Sequence, residues 1–372
     1  MDNQVLKHSI YYYAVVIVLT GLSVVNTFSN SHQVYYGKMS ILFGAILFLL
    51  AVINYLLKGV NLKDIIFVVS ILFIWSLTKF NAFFTIPILV ALTFVNHTPW
   101  QVIKAYYLSN LYCLIITIAL ALVGISPMRN VIDGIISLGF ANENTLGLFT
   151  LLISLFYTLE IVILKKKTRR FYIKLCFILV FIILNIFIIA DRTVVLVFLL
   201  FLLFVGIFKM KNTFLTIILD VFGCLCPLLL TYSSLYLLKN YNKNNFYYSL
   251  NDLLSNRIYM WNWYYYKIPI TWYSNNLKIS QFNFWGTIDG SYTNLLFQSG
   301  LVTTVVVCLL LVYSNFLLLK DKKNYIFCLL VSLEIGAFSE NILQSPAIIF
   351  VMTFVILSLY PKWLNDNKYK NL

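Results

Sequence analysis

Arg192 stands between two apolar runs, in the stretch IADRTVVLVFLLFLLFVGIF at 189–208. From Phe171 to Phe208 only Lys174, Asp191 and Arg192 carry charge. Charge near a membrane interior is costly and is kept mostly where it serves a site. A second arginine, Arg257, lies in the aromatic stretch SNRIYMWNWYYYKI. A guanidinium offers a planar fork that grips phosphate oxygens two at a time. Glutamate occurs only at 143, 160, 334 and 340. Two of the four, Glu143 and Glu340, flank helix starts and are read as functional.

Four polar islands carry these groups. GFANENTLGLF holds Asn142, Glu143 and Asn144, and ADRT holds Asp191 and Arg192. GTIDGSYTNLLFQSGL holds Asp289, Ser291, Tyr292 and Asn294, and FSENILQSPAI holds Glu340. Each island opens an apolar run. Helix starts expose unpaired N–H groups and the positive end of the macrodipole, so they hold anions readily. Convergence of the four starts would make a phosphate pocket with Arg192 as its clamp. Capping accounts for part of the same pattern. Asp191 suits the N-cap of a helix starting near Thr193, and Ser291 and Ser345-Pro346 suit caps too.

The elements that must position these groups are membrane helices. The 372 residues are 61% hydrophobic and 11% charged, whereas a soluble domain carries about 25% charge. Runs of about 20 apolar residues read as spans. Twelve are expected, at 10–29, 40–57, 64–78, 82–96, 105–125, 144–164, 171–190, 193–208, 213–238, 291–319, 325–338 and 346–360. The first is read as a helix that stays rather than a cleaved signal, because no small-residue cleavage box follows it. With the N-terminus inside, seventeen basic residues fall in inner segments and four, Lys38, Lys79, Arg129 and Arg192, in short outer loops. The excess inside sets the orientation. The expectation is an all-α polytopic membrane protein, 1–372 as one transmembrane domain, with both termini cytoplasmic and the polar islands outside.

One long outer loop is expected, at 239–290. Within it 250–268 reads as an amphipathic helix, with Leu254, Ile258, Trp261 and Tyr265 on one stripe. Arg257, Trp261 and Tyr264 are neighbours on the adjacent side. Two readings of the aromatic residues stay open. They suit a headgroup-level helix, and they suit a sugar platform, with asparagines serving the hydroxyls.

Several classes are excluded. The net charge of +14 is spread through short loops, which is a bilayer pattern and not a nucleic-acid surface. The six cysteines all lie in apolar runs, so a disulfide framework is not expected, and Cys224-x-Cys226 lacks metal-ligand company. His8, His32 and His97 are scattered. No zinc-protease, serine-hydrolase or nucleotide-loop motif occurs, so no metal and no cofactor are expected.

The ordered motifs resemble those of the bacterial O-antigen and capsule repeat-unit polymerases (the Wzy type) and the related O-antigen ligases. ANENTLGLF resembles their Asn-x-Asn helix start, and ADRTVVLVFLLF their arginine at the start of a following span. SNRIYMWNWYYYKI resembles their Arg-to-Trp segment, and GTIDGSYTNLLFQSGL the box that opens the next span. The likeness runs over roughly 135–345. Asp191 replaces a usual small residue, and no histidine occupies the Asp289 box, which disfavours the ligase branch.

The resemblance implies a metal- and nucleotide-independent glycosyltransferase of the bacterial cytoplasmic membrane. A glycan on undecaprenyl pyrophosphate would pass, outside the cell, to the sugar end of an incoming lipid-linked repeat unit. Arg192 and Arg257 would neutralise the pyrophosphate as the sugar–phosphate bond breaks. Asp289 or Glu340, with Glu143 in reserve, would take the acceptor hydroxyl proton. Asn142, Glu143, Asn144, Trp261, Tyr264, Tyr292 and Asn294 would bind substrate. A chain-length regulator and a flippase are the protein partners implied. The alternative reading is itself a flippase for lipid-linked oligosaccharides, which would place charges along the spans that line a cavity.

Overall fold

The computed structural model describes residues 3–28, 33–129, 136–140, 142–164, 169–185, 191–241, 245–274, 288–345, 348–361 and 363–365. The protein is an all-α membrane protein, with no strand among the described residues. Its helices are α1 Asn3–Phe28, α2 Gln33–Lys58, α3 Leu62–Leu77, α4 Thr85–Phe94, α5 Pro99–Leu122, α6 Glu143–Leu164, α7 Arg169–Leu184 and α8 Arg192–Met210. They continue as α9 Thr213–Asn240, α10 Asn245–Leu253, α11 Arg257–Lys267, α12 Ser291–Asn294, α13 Gly300–Lys320, α14 Asn324–Gly336 and α15 Val351–Ser358. One π turn, Leu295–Ser299, joins α12 to α13.

Seven helices among the described residues are long and apolar enough to cross a membrane: Ser9–Thr27, Lys38–Lys58, Pro99–Leu122, Glu143–Val162, Arg192–Met210, Thr213–Asn240 and Ser291–Lys320. Three more, Ala82–Phe94, Phe171–Leu184 and Asn324–Gly336, are apolar but shorter. Among the described residues of the run at 346–360, helix is formed over Val351–Ser358. The lipid-facing character of α2 is plain in its exposed Ile41, Phe48, Leu49 and Leu56, which water would not tolerate as a continuous surface.

The chain forms two compact units. The first comprises Met1–Asp64, Ile86–Phe201 and Pro346–Leu372, and the second Ile65–Thr85 and Leu202–Ser345. In the first, α1 packs on α2 and α5, α5 on α6, and α6 on α7. Gly21 admits the Phe43 ring, which a β-carbon there would meet at 2.5 Å. Helix α5 starts on a capping box in which Thr98 and Gln101 bond reciprocally, with Pro99 at its first turn, where a missing N–H costs nothing. Two buried polar side chains tie neighbouring segments through backbone carbonyls. Tyr11 donates to the carbonyls of Leu50 and Thr93, and Asn110 to those of Tyr106 and Ile348.

In the second unit α9 packs on α11, α12, α13 and α14. Pro227 lies inside α9. Having no N–H, it leaves the carbonyl four residues back, that of Gly223, without its helical partner. The Asn315 amide of α13 donates to that carbonyl at 3.0 Å. The same nitrogen lies 2.9 and 3.1 Å from the two oxygens of Glu334 on α14. Gly223 also lets Phe327 approach, since a β-carbon would meet that ring at 2.3 Å. One orphaned carbonyl and one amide thus join three helices, as buried backbone groups in lipid require.

Candidate functional site

The second unit builds its polar site where α12 starts. Gly290 has φ +90°, and a β-carbon on it would sit 2.6 Å from the Phe338 carbonyl oxygen and 2.9 Å from the Trp261 ring. Only glycine suits both the conformation and the space. The next residue does not cap the helix, as its type suggests. Ser291 is the first helical residue, and it stitches α12 to the turn after α14. Its N–H donates to the carbonyls of Ala337 (2.7 Å) and Glu340 (3.0 Å). Its hydroxyl donates to the Glu340 carbonyl (2.8 Å) and accepts from the Leu343 N–H (2.9 Å). Two islands that are far apart in sequence, at Asp289 and Glu340, are thereby brought together.

Arg257 joins them from α11. The expected helix over 250–268 is broken into α10 and α11, because Ser255 and Asn256 both adopt left-handed backbone, with φ 54° and 64°. Asn tolerates that region and Ser-Asn is turn chemistry. Asn251 holds the break. Its amide N–H donates to the Asn256 side chain, and its oxygen accepts from the Tyr259 N–H, each at 2.8 Å. The break gives Arg257 the first position of α11 and turns it inward, where it is 8% exposed. Its Nη2 donates to Glu340 Oε1. Its Nη1 donates to the Leu254 carbonyl at 3.4 Å, and its Nε lies 3.8 Å from Asp289 Oδ2. Each nitrogen of the guanidinium already faces an oxygen of the chain. With both carboxylates ionised the cluster carries a formal charge of −1.

Asp289 differs from Glu340 in exposure. Its side chain keeps 31% of its surface, against 5% for Glu340. Desolvation raises the Asp289 carboxyl above the ordinary aspartate value, and Arg257 offsets part of that rise. Its carbonyl accepts from Trp261 Nε1 at 2.6 Å. Burial, then the Asp289 charge, raise the Tyr264 hydroxyl.

The aromatic and amide residues expected to bind substrate are mostly walls of this cluster. Trp261, Tyr264 and Tyr292 are fully covered. Trp261 packs edge-on against Phe338, and Tyr292 donates to the Glu334 carbonyl at 3.3 Å. No open ring face for a sugar is left on these three. Asn294 donates to the Ile288 carbonyl at 3.0 Å and meets Asn341 at 3.4 Å. Asn341, which the sequence did not single out, donates to the same carbonyl (3.0 Å) and to Asp289 Oδ1 (3.3 Å). Ser345 donates back to the Asn341 carbonyl, while its neighbour Pro346 lies outside the described residues.

The other two islands meet in the first unit. Asn142 Oδ1 accepts from the Thr145 N–H (2.8 Å) and hydroxyl (2.7 Å) at the start of α6, the capping geometry its type favours. Glu143 and Asn144 follow in the first turn, half-buried. Asp191 is buried, and its Oδ1 accepts from the Val194 N–H at 3.1 Å, capping α8 as the sequence suggests. A β-carbon on Gly147 would come within 2.6 Å of Asp191 Oδ2, so α6 and α8 start side by side. Arg192 opens α8, exposed, and makes no ion pair among the described residues. It belongs to the first unit and Arg257 to the second. No group of three or more His, Cys, Asp or Glu suited to a metal occurs among the described residues. Comparison with family models, with characterised proteins and with solved structures finds no match to this chain.

Proposed function

We propose that the protein is a polymerase of lipid-linked oligosaccharides, joining repeat units carried on undecaprenyl pyrophosphate at the outer face of a bacterial cytoplasmic membrane. Twelve crossing segments, with both termini cytoplasmic, are the arrangement that goes with this reading. The observation that carries it is the Arg257–Asp289–Glu340 cluster. Three separate segments, each expected outside the bilayer, supply one buried cation and two carboxylates beside the start of a spanning helix. A glycosyl transfer to a hydroxyl needs a proton acceptor, and this cluster contains one that is partly open to solvent. In the first unit, exposed Arg192 beside the starts of α6 and α8 suits an anionic oxygen. The implied chain-length regulator and flippase partners belong to the same reading.

The deciding experiment is deletion of the gene. Cells without the protein should accumulate single repeat units on lipid and make no long glycan. Reintroduced protein should restore polymer, while Arg192→Ala, Arg257→Ala and Asp289→Asn should not. Normal glycan length in the deleted cells would refute the reading.

One observation favours the flippase alternative. Glu334 lies fully buried within α14, facing Asn315 of a spanning helix. An ionisable group inside a helix bundle is where a transporter keeps its charge. Deletion would then leave repeat units on the inner leaflet, inaccessible to glycosidases applied from outside.

A further inference from the structure

Resting on the polymerase reading, we infer that Asp289 is the proton acceptor, and that Glu340 and Asn341 are positioning residues that hold Arg257 and Asp289 in place. The two carboxylates of the cluster have different surroundings. Glu340 is 5% exposed and gives Oε1 to Arg257 Nη2. Its own carbonyl is held by the N–H and hydroxyl of Ser291. It is a counter-ion on a stitched turn, with little room for an incoming hydroxyl.

Asp289 is arranged for access. Its side chain is 31% exposed, and its Oδ2 stays 3.8 Å from Arg257 Nε, beyond hydrogen-bond reach. Its Oδ1 lies 3.3 Å from Asn341 Nδ2. That amide is itself oriented. Nδ2 donates to the Ile288 carbonyl at 3.0 Å, and Oδ1 faces Asn294 Nδ2 at 3.4 Å. The Asn294 amide is anchored on the same Ile288 carbonyl. The network therefore points an N–H at Asp289, and an N–H favours the ionised carboxylate against desolvation. Arg257 adds positive charge on the other oxygen.

The step balances without a cofactor. The acceptor hydroxyl oxygen bonds to the anomeric carbon as the carbon–oxygen bond to pyrophosphate breaks. The bonding pair leaves with the lipid pyrophosphate, the hydroxyl proton passes to Asp289, and its exposed edge returns the proton to water.

The test uses the full-length protein in detergent micelles and the lipid-linked oligosaccharides extracted from cells lacking it. Asp289→Asn should lose about 100-fold or more in rate, the scale of a missing general base. Glu340→Gln should lose less than about tenfold, because Gln still accepts from Arg257. Asn341→Ala should move the acidic limb of the rate–pH profile to higher pH, since the ionised carboxylate loses its donor; a packing defect lowers the rate without moving the limb. In parallel, a water-soluble carbodiimide with glycinamide is applied to the wild type without substrate, and peptide mass spectrometry reads the tagged carboxylates. Asp289 should be tagged in preference to Glu340. Equal losses for the two substitutions, preferential tagging of Glu340, or an unmoved pH limb in Asn341→Ala overturns the inference. A wild-type protein that makes no polymer overturns the polymerase reading instead, while the tagging still reports on which carboxylate is open.

Discussion

Arg257→Gln removes the one positive charge from a cluster that holds two carboxylates. The native cluster carries a formal charge of −1, the variant −2, and Glu340→Gln would carry none. Opposite charges about 4 Å apart interact by roughly 4 kcal/mol at an effective dielectric constant near 20. The side chains of Arg257 and Glu340 are 9% and 5% exposed, so their pairing belongs with buried ion pairs. Removing one partner of such a pair costs about 3–5 kcal/mol, whereas replacing both is often close to neutral. Arg257→Gln should therefore lose about 3–5 kcal/mol of stability. Glu340→Gln should lose about 1–2 kcal/mol, because Arg257 keeps Asp289 as counter-charge and an amide still accepts its hydrogen bond. The double variant should recover to within about 1–2 kcal/mol of wild type, yet make no polymer. Reversible unfolding in mixed micelles measures the stabilities, and chain length in cells measures the activity. The reasoning fails if Arg257→Gln is no less stable than Glu340→Gln, or if the second substitution does not rescue the first.

Asn315→Ala should cost about 1–3 kcal/mol by orphaning the Gly223 carbonyl. Adding Pro227→Ala supplies an N–H to that carbonyl, and a double-mutant cycle should read a coupling of about 1 kcal/mol; strict additivity would show that the amide serves something else. Gly290→Ala should abolish polymer formation and lower stability by more than about 1 kcal/mol, through left-handed strain and the 2.6 Å approach to the Phe338 carbonyl; a silent substitution would mean the turn relaxes freely. Because the Asp289 carboxyl is raised in the folded protein, the folded chain keeps a proton that the unfolded chain has already released, so folding takes up protons in the window between the two values. Stability should fall as pH rises from the ordinary aspartate value through the raised folded one. Asp289→Asn should flatten that slope, and an unchanged pH dependence of unfolding would contradict it.

Some of this was legible in residue types and spacing. Asp191 before Thr193 predicted its cap, and Asp191 is that cap. Spacing at i, i+4 and i+7 placed Arg257, Trp261 and Tyr264 on neighbouring positions, and all three turn inward. The break at Ser255-Asn256 carried a turn signal, but the periodic aromatic pattern on either side masked it. Ser291 illustrates the opposite difficulty. A serine at a helix start reads as a cap, yet its hydroxyl found longer-range partners at Glu340 and Leu343. The walls of the site show the same limit of residue type as a guide. Trp261 and Tyr264 suit a sugar platform by type and spacing, and both are fully covered.

The sequence by itself determined that the chain is helical and lives in a bilayer, because hydropathy and helix length are local properties that water and lipid sort directly. It also placed Glu143, Asp191 and Arg192 at helix starts, where they stand, whereas Glu340 lies in the turn after α14 and not at the start of the next helix. Tertiary structure alone decided which of the rare charged groups meet. Arg257 and Glu340 are 83 residues apart, and Asn341 and Asp289 are 52 apart. Such contacts depend on how helices pack, and on a carbonyl freed by Pro227 finding Asn315 across a helix interface. No local pattern encodes a partner at that range, because the energy of burying a charge is set by whatever folding brings beside it.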